Sequence, residues 1–430
     1  MNDSADHDNG RGEGMPSPLA SGRRPGAGHA LVFIFVTLLV DTIGLGIILP
    51  VMPKLIQQLT GEGLDKAAIY GGWLAFSYSF TQFLCGPVIG NLSDHFGRRP
   101  VLFFSLLAFG VDYIFMGFAP QLWLLFVGRV IAGVAGASFT TGMAYIADIS
   151  PPERRAQNFG LVGMAFGVGF IIGPSLGGVL GHFGPRVPFF VSAGLALCNL
   201  IYGIAILPES LPRDRRRPFS WGRANIIGTF VNLREYPGVL ALLFALSFWA
   251  LSHQALQNTW SYFMMLKFHW DELAVGASLG GLGLAIAIAQ GGLTRVLIPR
   301  WGERLSANVG MMCVAAAYLL FATAPYGWLI YLGMAIYAPG GLVMPSLQTL
   351  MTRAVPANAQ GGLQGAVAST VGMAAVVGPP LMTGLFGYFT RAGAPWHFPG
   401  APYVFATALV LASQFLFRRC TVGGALAKSG

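Results

Sequence analysis

The sequence predicts an all-α membrane protein of twelve transmembrane helices arranged as two six-helix bundles. Three observations predict it: an apolar composition, twelve apolar stretches of bilayer length, and a repeat that halves the chain. The 430 residues are 54% hydrophobic and only 10% charged, whereas a soluble domain carries about 25% charged residues. Mean hydropathy is +0.62. The 59 glycines and 27 prolines suit helices that pack closely and break locally inside a bilayer.

A bilayer core requires about 20 largely apolar residues per helix. Such stretches run over 30–51, 70–91, 99–119, 121–147, 158–181, 187–207, 236–258, 273–298, 305–324, 326–350, 361–388 and 401–418. The tenth and eleventh are interrupted by Gly and Pro, and the break at Pro339–Gly341 is tolerable only where protein or a cavity surrounds it. Residues 1–29 are polar and read as a disordered cytoplasmic tail. The first apolar stretch is too long for a signal-peptide core and has no small-residue cleavage site behind it. The stretch 208–235 holds six arginines and reads as a basic linker between bundles at 30–207 and 236–418, with 419–430 as a cytoplasmic tail.

Orientation follows from Lys and Arg in short loops. With both termini in the cytoplasm, Arg98, Arg99, Arg154, Arg155, Arg295, Arg300, Arg304, Arg353, Arg418, Arg419 and the linker arginines lie inside. Only Lys54, Lys66, Arg186, Lys267 and Arg391 then lie outside, the bias of a multi-pass inner-membrane protein. Because the basic residues recur between apolar segments rather than forming an arm, the net charge of +9 does not point to nucleic acid. The four cysteines lack ligand spacing and His253 stands alone, so no metal or cofactor is expected. No nucleophile motif or nucleotide loop is present, since Gly280-Gly-Leu-Gly-Leu is apolar throughout. One chain already holds a complete pair of bundles, so a monomer surrounded by membrane lipids is expected.

The halves repeat at an offset of 205 residues. Gly97 and Arg99 fall on Gly302 and Arg304, Gly173-Pro174 on Gly378-Pro379, and Gly160 on Gly365. One constant offset joining three separated landmarks supports a duplicated six-helix bundle.

A charge near mid-bilayer costs several kcal/mol and marks function by default. Asp41 lies in the first helix, Asp112 in the third and Arg129 in the fourth, each among apolar neighbours. The plainer reading is a structural ion pair between an aspartate and Arg129, which satisfies both desolvated groups. The sharper one is proton coupling. Burial disfavours a charged carboxylate and an approaching guanidinium favours it, so a changing distance to Arg129 loads and releases a proton. Asp41 serves equally well as the proton site or as the centre for a cationic substrate.

Other polar groups divide by position. Asp94, Arg98 and Arg99 flank the second turn and, with Asp148 at the end of the fourth helix, form a gate latch; the alternative is that the arginines only set topology. In the fifth helix Gly169, Gly173 and Gly177 recur at steps of four with Pro174 among them. This face admits another helix closely, and the proline kinks it, so a bendable seam between the bundles is expected. Tyr78, Gln82, Asn199, Gln254, Gln257, Asn258, Gln290, Gln348 and Gln364 are expected to line a substrate cavity, and aromatics such as Trp249 offer faces to a flat or cationic solute.

Asp41-Thr-Ile-Gly44-Leu-Gly46 leading to Pro50-Val-Met-Pro53, then Gly86-Pro87, Gly90-Asn-Leu-Ser-Asp94-His-Phe-Gly97-Arg98-Arg99-Pro100, Gly128-Arg129, Tyr145-Ile-Ala-Asp148-Ile, Gly173-Pro174 and Pro208-Glu209-Ser210 together resemble the major facilitator superfamily. Within it the chain resembles the drug:proton antiporters that include bacterial tetracycline efflux proteins, over residues 30–420. The resemblance places the family's membrane aspartates on Asp41 and Asp112, its fourth-helix arginine on Arg129, its gating loop on Asp94, Arg98 and Arg99, and its antiporter motif on Gly173 and Pro174. It implies a non-enzymatic, proton-coupled exporter of a hydrophobic or amphipathic small molecule, with tetracycline-like drugs among the candidates. The same fold also serves importers and exporters of endogenous metabolites or lipid-like solutes, and that alternative stays open. Two positions depart from the tetracycline exporters. Their ninth-helix acidic residue aligns with Val314 and their eighth-helix histidine with Ile286, so the second half offers less charge to a metal-chelated drug.

Overall fold

The computed structural model describes residues 27–137, 139–219 and 236–422. Most of the expected N-terminal tail, the linker from 220 onward and the end of the C-terminal tail lie outside the described residues. Within them the chain is helical: α1 (Ala27–Ile48), α2 (Met52–Thr60), α3 (Leu64–Phe96), α4 (Arg98–Phe118), α5 (Leu122–Gly136), α6 (Phe139–Ile149), α7 (Arg155–Gly181), α8 (Val187–Ile206), α9 (Pro237–Phe268), α10 (Glu272–Ile288), α11 (Thr294–Thr323), α12 (Trp328–Tyr337), α13 (Val343–Arg353), α14 (Gln360–Thr390) and α15 (Ala401–Val422).

These helices make twelve crossings. Ten segments are long and apolar enough to span a bilayer. One of them, Glu272–Thr323, is 52 residues long and turns back at Gly302, whose backbone is non-helical (φ 76°), so it crosses twice. The remaining crossing is α3, too polar to count by hydropathy, yet its 33 residues extend about 50 Å at helical rise. The fourth crossing is α5 followed by α6, and the tenth is α12 followed by α13. The short α2 is a surface helix closed by Gly61 in the left-handed region (φ 71°).

The repeat is visible in the backbone. Gly97 and Gly302 both take positive φ (106° and 76°), a conformation that costs other residues strain. Each lets the chain leave one crossing and enter the next without a loop. Between the halves, α7 packs on α10 and α3 packs on α14.

The halves meet at one end and part at the other. At the arginine-poor end Lys54 Nζ lies 2.8 Å from Glu272 Oε1, and Ser261 donates to the Leu49 carbonyl at 2.9 Å. Close backbone approach completes that seal: a Cβ on Gly178 would stand 3.1 Å from Leu273 Cα, and one on Gly387 would stand 2.7 Å from Ile69. Toward the arginine-rich end, a Cβ on Gly160, Gly163, Gly291, Gly361 or Gly362 would meet nothing within 4 Å. The close contacts given between the halves thus gather at the arginine-poor end.

Candidate functional site

The membrane charges of the first half converge on α1, α3, α4 and α5. Asp112 is fully buried, and neither carboxyl oxygen has a hydrogen-bond partner. Arg129 is also buried, but its guanidinium is directed elsewhere: Nη2 lies 3.0 Å from the Met116 sulfur, and the group sits 6.0 Å from the centre of the Tyr78 ring. The structural ion pair is thus not made in this conformation. Asp41 is half-buried on α1. The space around these groups is set by glycines. A Cβ on Gly128 would come within 2.8 Å of Asp112 Oδ1, and one on Gly44 within 2.8 Å of the Tyr113 hydroxyl.

Gln82 extends this cluster. Its Nε2 donates to the Tyr78 hydroxyl at 3.3 Å and to the Gly136 carbonyl at 3.1 Å. Gln257, Gln290 and Gln364 are exposed, and Asn258 and Gln348 are half-buried. Gln254 is buried beneath Asn258, whose amide donates to its Oε1 at 3.0 Å. Asn199 is a correction. It is buried inside the first bundle, donating to Thr37 Oγ1 at 3.1 Å, so it ties α8 to α1 rather than lining a cavity. Between the halves, a cavity of about 330 Å³ is bounded by Phe83, Ser247, Leu251, Thr370 and Met373 among others.

The fifth-helix glycines require a second correction. A Cβ on Gly169 would meet Thr42 and Leu39, one on Gly173 would meet Ile43 and Gly46, and one on Gly177 would meet Ile47. All three face α1 in their own bundle. The seam with the second half is made by the adjacent face, where Gly276 lies against Pro174 and Gly178, and Gly280 and Gly283 against Ile171. Four-residue spacing defines a face of a helix but not which neighbour that face meets.

At the basic end of the first half, Arg98 joins both acidic groups of the latch. Its Nη1 lies 2.6 Å from Asp94 Oδ1 and its Nε donates to Asp148 Oδ2 at 3.2 Å. Ser93 accepts from Nη1 at 2.6 Å, and Ser210 donates to Asp148 at 3.2 Å. Arg99 turns away and donates to the Ile204 carbonyl at 3.0 Å. The residue that sequence reasoning missed is Glu209. Its carboxylate accepts from the backbone N–H of Arg98 (2.9 Å), Arg99 (3.3 Å) and Leu211 (3.1 Å), so it caps the start of α4 and fastens the linker to it.

The second half carries a counterpart at the same offset of 205. Arg98 falls on Glu303 and Asp148 on Arg353, and these two make an ion pair of 2.8 Å. The pair is kept and its polarity is reversed. It borders an open cavity of about 410 Å³ lined by Trp301, Gly302, Glu303, Arg304, Leu350, Arg353 and Ala354. Applying the offset to the latch itself would have found it.

The comparisons agree with this architecture. The family model of the Major Facilitator Superfamily matches residues 34–379. The chain is 36% identical to the tetracycline resistance protein, class C, of Escherichia coli, over 91% of this chain and 97% of that protein. It is 35% identical to the class G protein of Vibrio anguillarum, over 88% of this chain and 94% of that one. Among solved structures, the human organic anion transporter MFSD10 (TETRAN) superposes with a TM-score of 0.68 at 23% identity, covering 92% of this chain and 100% of that one. With twelve crossings in two halves, a repeated glycine turn and a family match over most of its length, the chain belongs to the major facilitator superfamily and is a multi-pass membrane transporter.

Proposed function

We propose that this transporter is a proton-coupled exporter of a hydrophobic or amphipathic small molecule, acting as a monomer by alternating access in the bacterial inner membrane. Its arginine-rich end and both termini face the cytoplasm, in keeping with the distribution of Lys and Arg. The bundles at 30–207 and 236–418 are the bodies that rock, with 208–235 joining them.

One observation carries the reading: Asp112 is buried with both oxygens unpartnered while Arg129 lies near it, bonded elsewhere. An ionised carboxylate in that position is costly. Either a proton on Asp112 or a swing of Arg129 onto it relieves the cost, and a cycle that alternates the two carries a proton across. Asp41, one turn before Gly44, which lies against the Tyr113 hydroxyl, is the second carboxyl of the relay. The latch of Asp94, Arg98 and Asp148 holds the first half's basic end together as that end opens and closes.

The likeness to the class C and class G proteins brings tetracycline-like drugs within the substrate range. Val314, fully buried and packed against Gly340, supplies no charge in the second half, so an uncharged amphipathic drug fits better than a metal chelate. The test uses purified protein in liposomes with an imposed proton gradient and tetracycline as the first probe. Substrate addition should move protons in the wild type and not in Asp112→Asn. Coupled proton movement that survives in the variant overturns the role of Asp112.

A further inference from the structure

The second half repeats the basic-end turn of the first without the carboxylate that closes it. In the first half Glu209 accepts from the N–H groups of Arg98 and Arg99, and a Cβ on Gly97 would collide with that carboxylate. At the offset of 205 these positions become Gly302, Glu303 and Arg304, and Glu209 becomes Gln414. Gln414 is turned aside: its Nε2 donates to the carbonyl and side-chain oxygens of Asn308, both at 3.3 Å. A Cβ on Gly302 would meet nothing within 4 Å, and the space beside it is the cavity of about 410 Å³ bordered by Glu303 and Arg353. After Glu303 the sequence contains no Asp or Glu, so the chain beyond it has no side-chain carboxylate to put there.

Cations gather around this cavity. Arg304 and Arg353 line it, and both are exposed. Arg353 is held by Glu303 at 2.8 Å, while the Arg304 guanidinium has no ion-pair or hydrogen-bond partner among the described residues. Arg418 donates to Asn308 Oδ1 at 2.8 Å and adds a charge one turn further along α11. The chain reaches the turn from a π-helical segment at Ala289–Leu293 by way of the exposed Arg295, Arg300 and Trp301. Beyond it Leu305, Met312 and Leu319 are exposed and recur at steps of seven, which places them on one face of α11. In a bilayer such a face meets lipid. Trp301, itself exposed, lines the cavity at the start of that stripe, and an indole there suits the headgroup level.

We propose that this cavity binds the phosphate of an anionic phospholipid, at the place that the Glu209 carboxylate takes in the first half. Arg304 supplies an unengaged guanidinium and Arg353 a second one when it leaves Glu303, and a guanidinium fork matches two phosphate oxygens at once. The acyl chains run down the stripe of Leu305, Met312 and Leu319. That stripe favours a lipid over a soluble phosphate, because only a lipid has chains to cover it. The leaflet is the cytoplasmic one on the orientation proposed above, and the site is independent of what the protein carries.

Native mass spectrometry of the full chain in detergent micelles, titrated with dioleoylphosphatidylglycerol or dioleoylphosphatidylcholine, tests it. The wild type should bind phosphatidylglycerol at least about fivefold more tightly than phosphatidylcholine, the scale of one basic residue acting on an anionic headgroup. Arg304→Gln should weaken phosphatidylglycerol about tenfold, the effect of losing a charge-assisted hydrogen bond. Arg295→Gln, outside the cavity, should have little effect. Glu303→Gln releases Arg353 and removes a competing anion, so it should strengthen binding, a gain that damage to the fold does not produce. Equal binding of the two lipids by the wild type, unchanged binding in Arg304→Gln, the same loss from Arg295→Gln, or weaker binding in Glu303→Gln overturns the site. Displacement of phosphatidylglycerol by equimolar inorganic phosphate overturns the lipid and gives the cavity to a soluble phosphate.

Discussion

The two halves share a backbone and differ in where their polarity sits. In the first half Arg98 is buried and bonds Asp94, Asp148 and Ser93 together. At the equivalent place in the second half, Glu303 and Arg353 form one pair, with the Arg353 side chain 67% exposed beside an open cavity. The glycine turn that permits each latch, Gly97 or Gly302, keeps its positive φ in both. Duplication therefore preserved the geometry that only glycine provides and left the charges free to change. The membrane interior follows the same division. The first half holds Asp41, Asp112 and Arg129, whereas the second packs Trp260, Tyr318, Phe321 and Tyr403 ring against ring.

The largest effect expected from this difference is in the membrane interior. Asp112→Asn should lower substrate-driven proton flux in liposomes by at least about a hundredfold, the scale on which proton-transfer groups contribute. Val314→Ala, at the place in the second half where the resemblance leads one to look for an acid, should leave the coupling ratio unchanged. A comparable loss of coupling in both variants would erase the contrast between the halves.

The seam comes next. Gly276→Ala sets a methyl group against the Pro174 carbonyl and Gly178, and should reduce transport about tenfold by holding the sealed end apart. Gly163→Ala meets nothing in this conformation and should disturb its packing little. Crosslinking yield between cysteines placed at 54 and 272 reports the separation directly, and should fall in the first variant and hold in the second.

The latches should differ in stability. Arg98→Ala leaves Asp94 and Asp148 facing each other without a cation and should cost about 2 kcal/mol, read as a lower midpoint of thermal unfolding in detergent. Glu303→Ala removes a partly exposed pair and should cost no more than about 0.5 kcal/mol. The smallest effect belongs to the double exchange Glu303→Arg with Arg353→Glu. It keeps the pair but gives both halves the same polarity, and should slow transport only a few-fold with no change in unfolding midpoint. A midpoint shift as large as that of Arg98→Ala would show that the second latch is as structural as the first.

Much of this was legible in the sequence. Apolar length gives the crossings, because a bilayer imposes it, and a charge inside an apolar run is conspicuous because it is costly. That reasoning reaches Asp41, Asp112 and Arg129. It does not say whether Asp112 and Arg129 pair, since that depends on a side-chain swing within one conformation. Nor could spacing assign Gly169, Gly173 and Gly177 to α1 rather than to the seam, or place Asn199 inside a bundle, because periodicity gives a helix face without naming its neighbour. Glu209 stood in a motif already noticed, but the Arg98 and Arg99 N–H groups it accepts from lie more than a hundred residues away along the chain. The π-turn at Ala289–Leu293 left no compositional mark beyond its paired glycines.

The glycine seam has an energetic consequence. Where Gly178, Gly276 and Gly280 meet their partners, the two bodies touch largely through backbone, and separating such faces uncovers little hydrocarbon. At about 25 cal/mol per Å² of apolar surface, a seam of leucines would add a large penalty to every opening, and a transporter must open it once per cycle. Built from glycine, the joint is close enough to exclude water and weak enough to release, so turnover need not wait on breaking a hydrophobic interface.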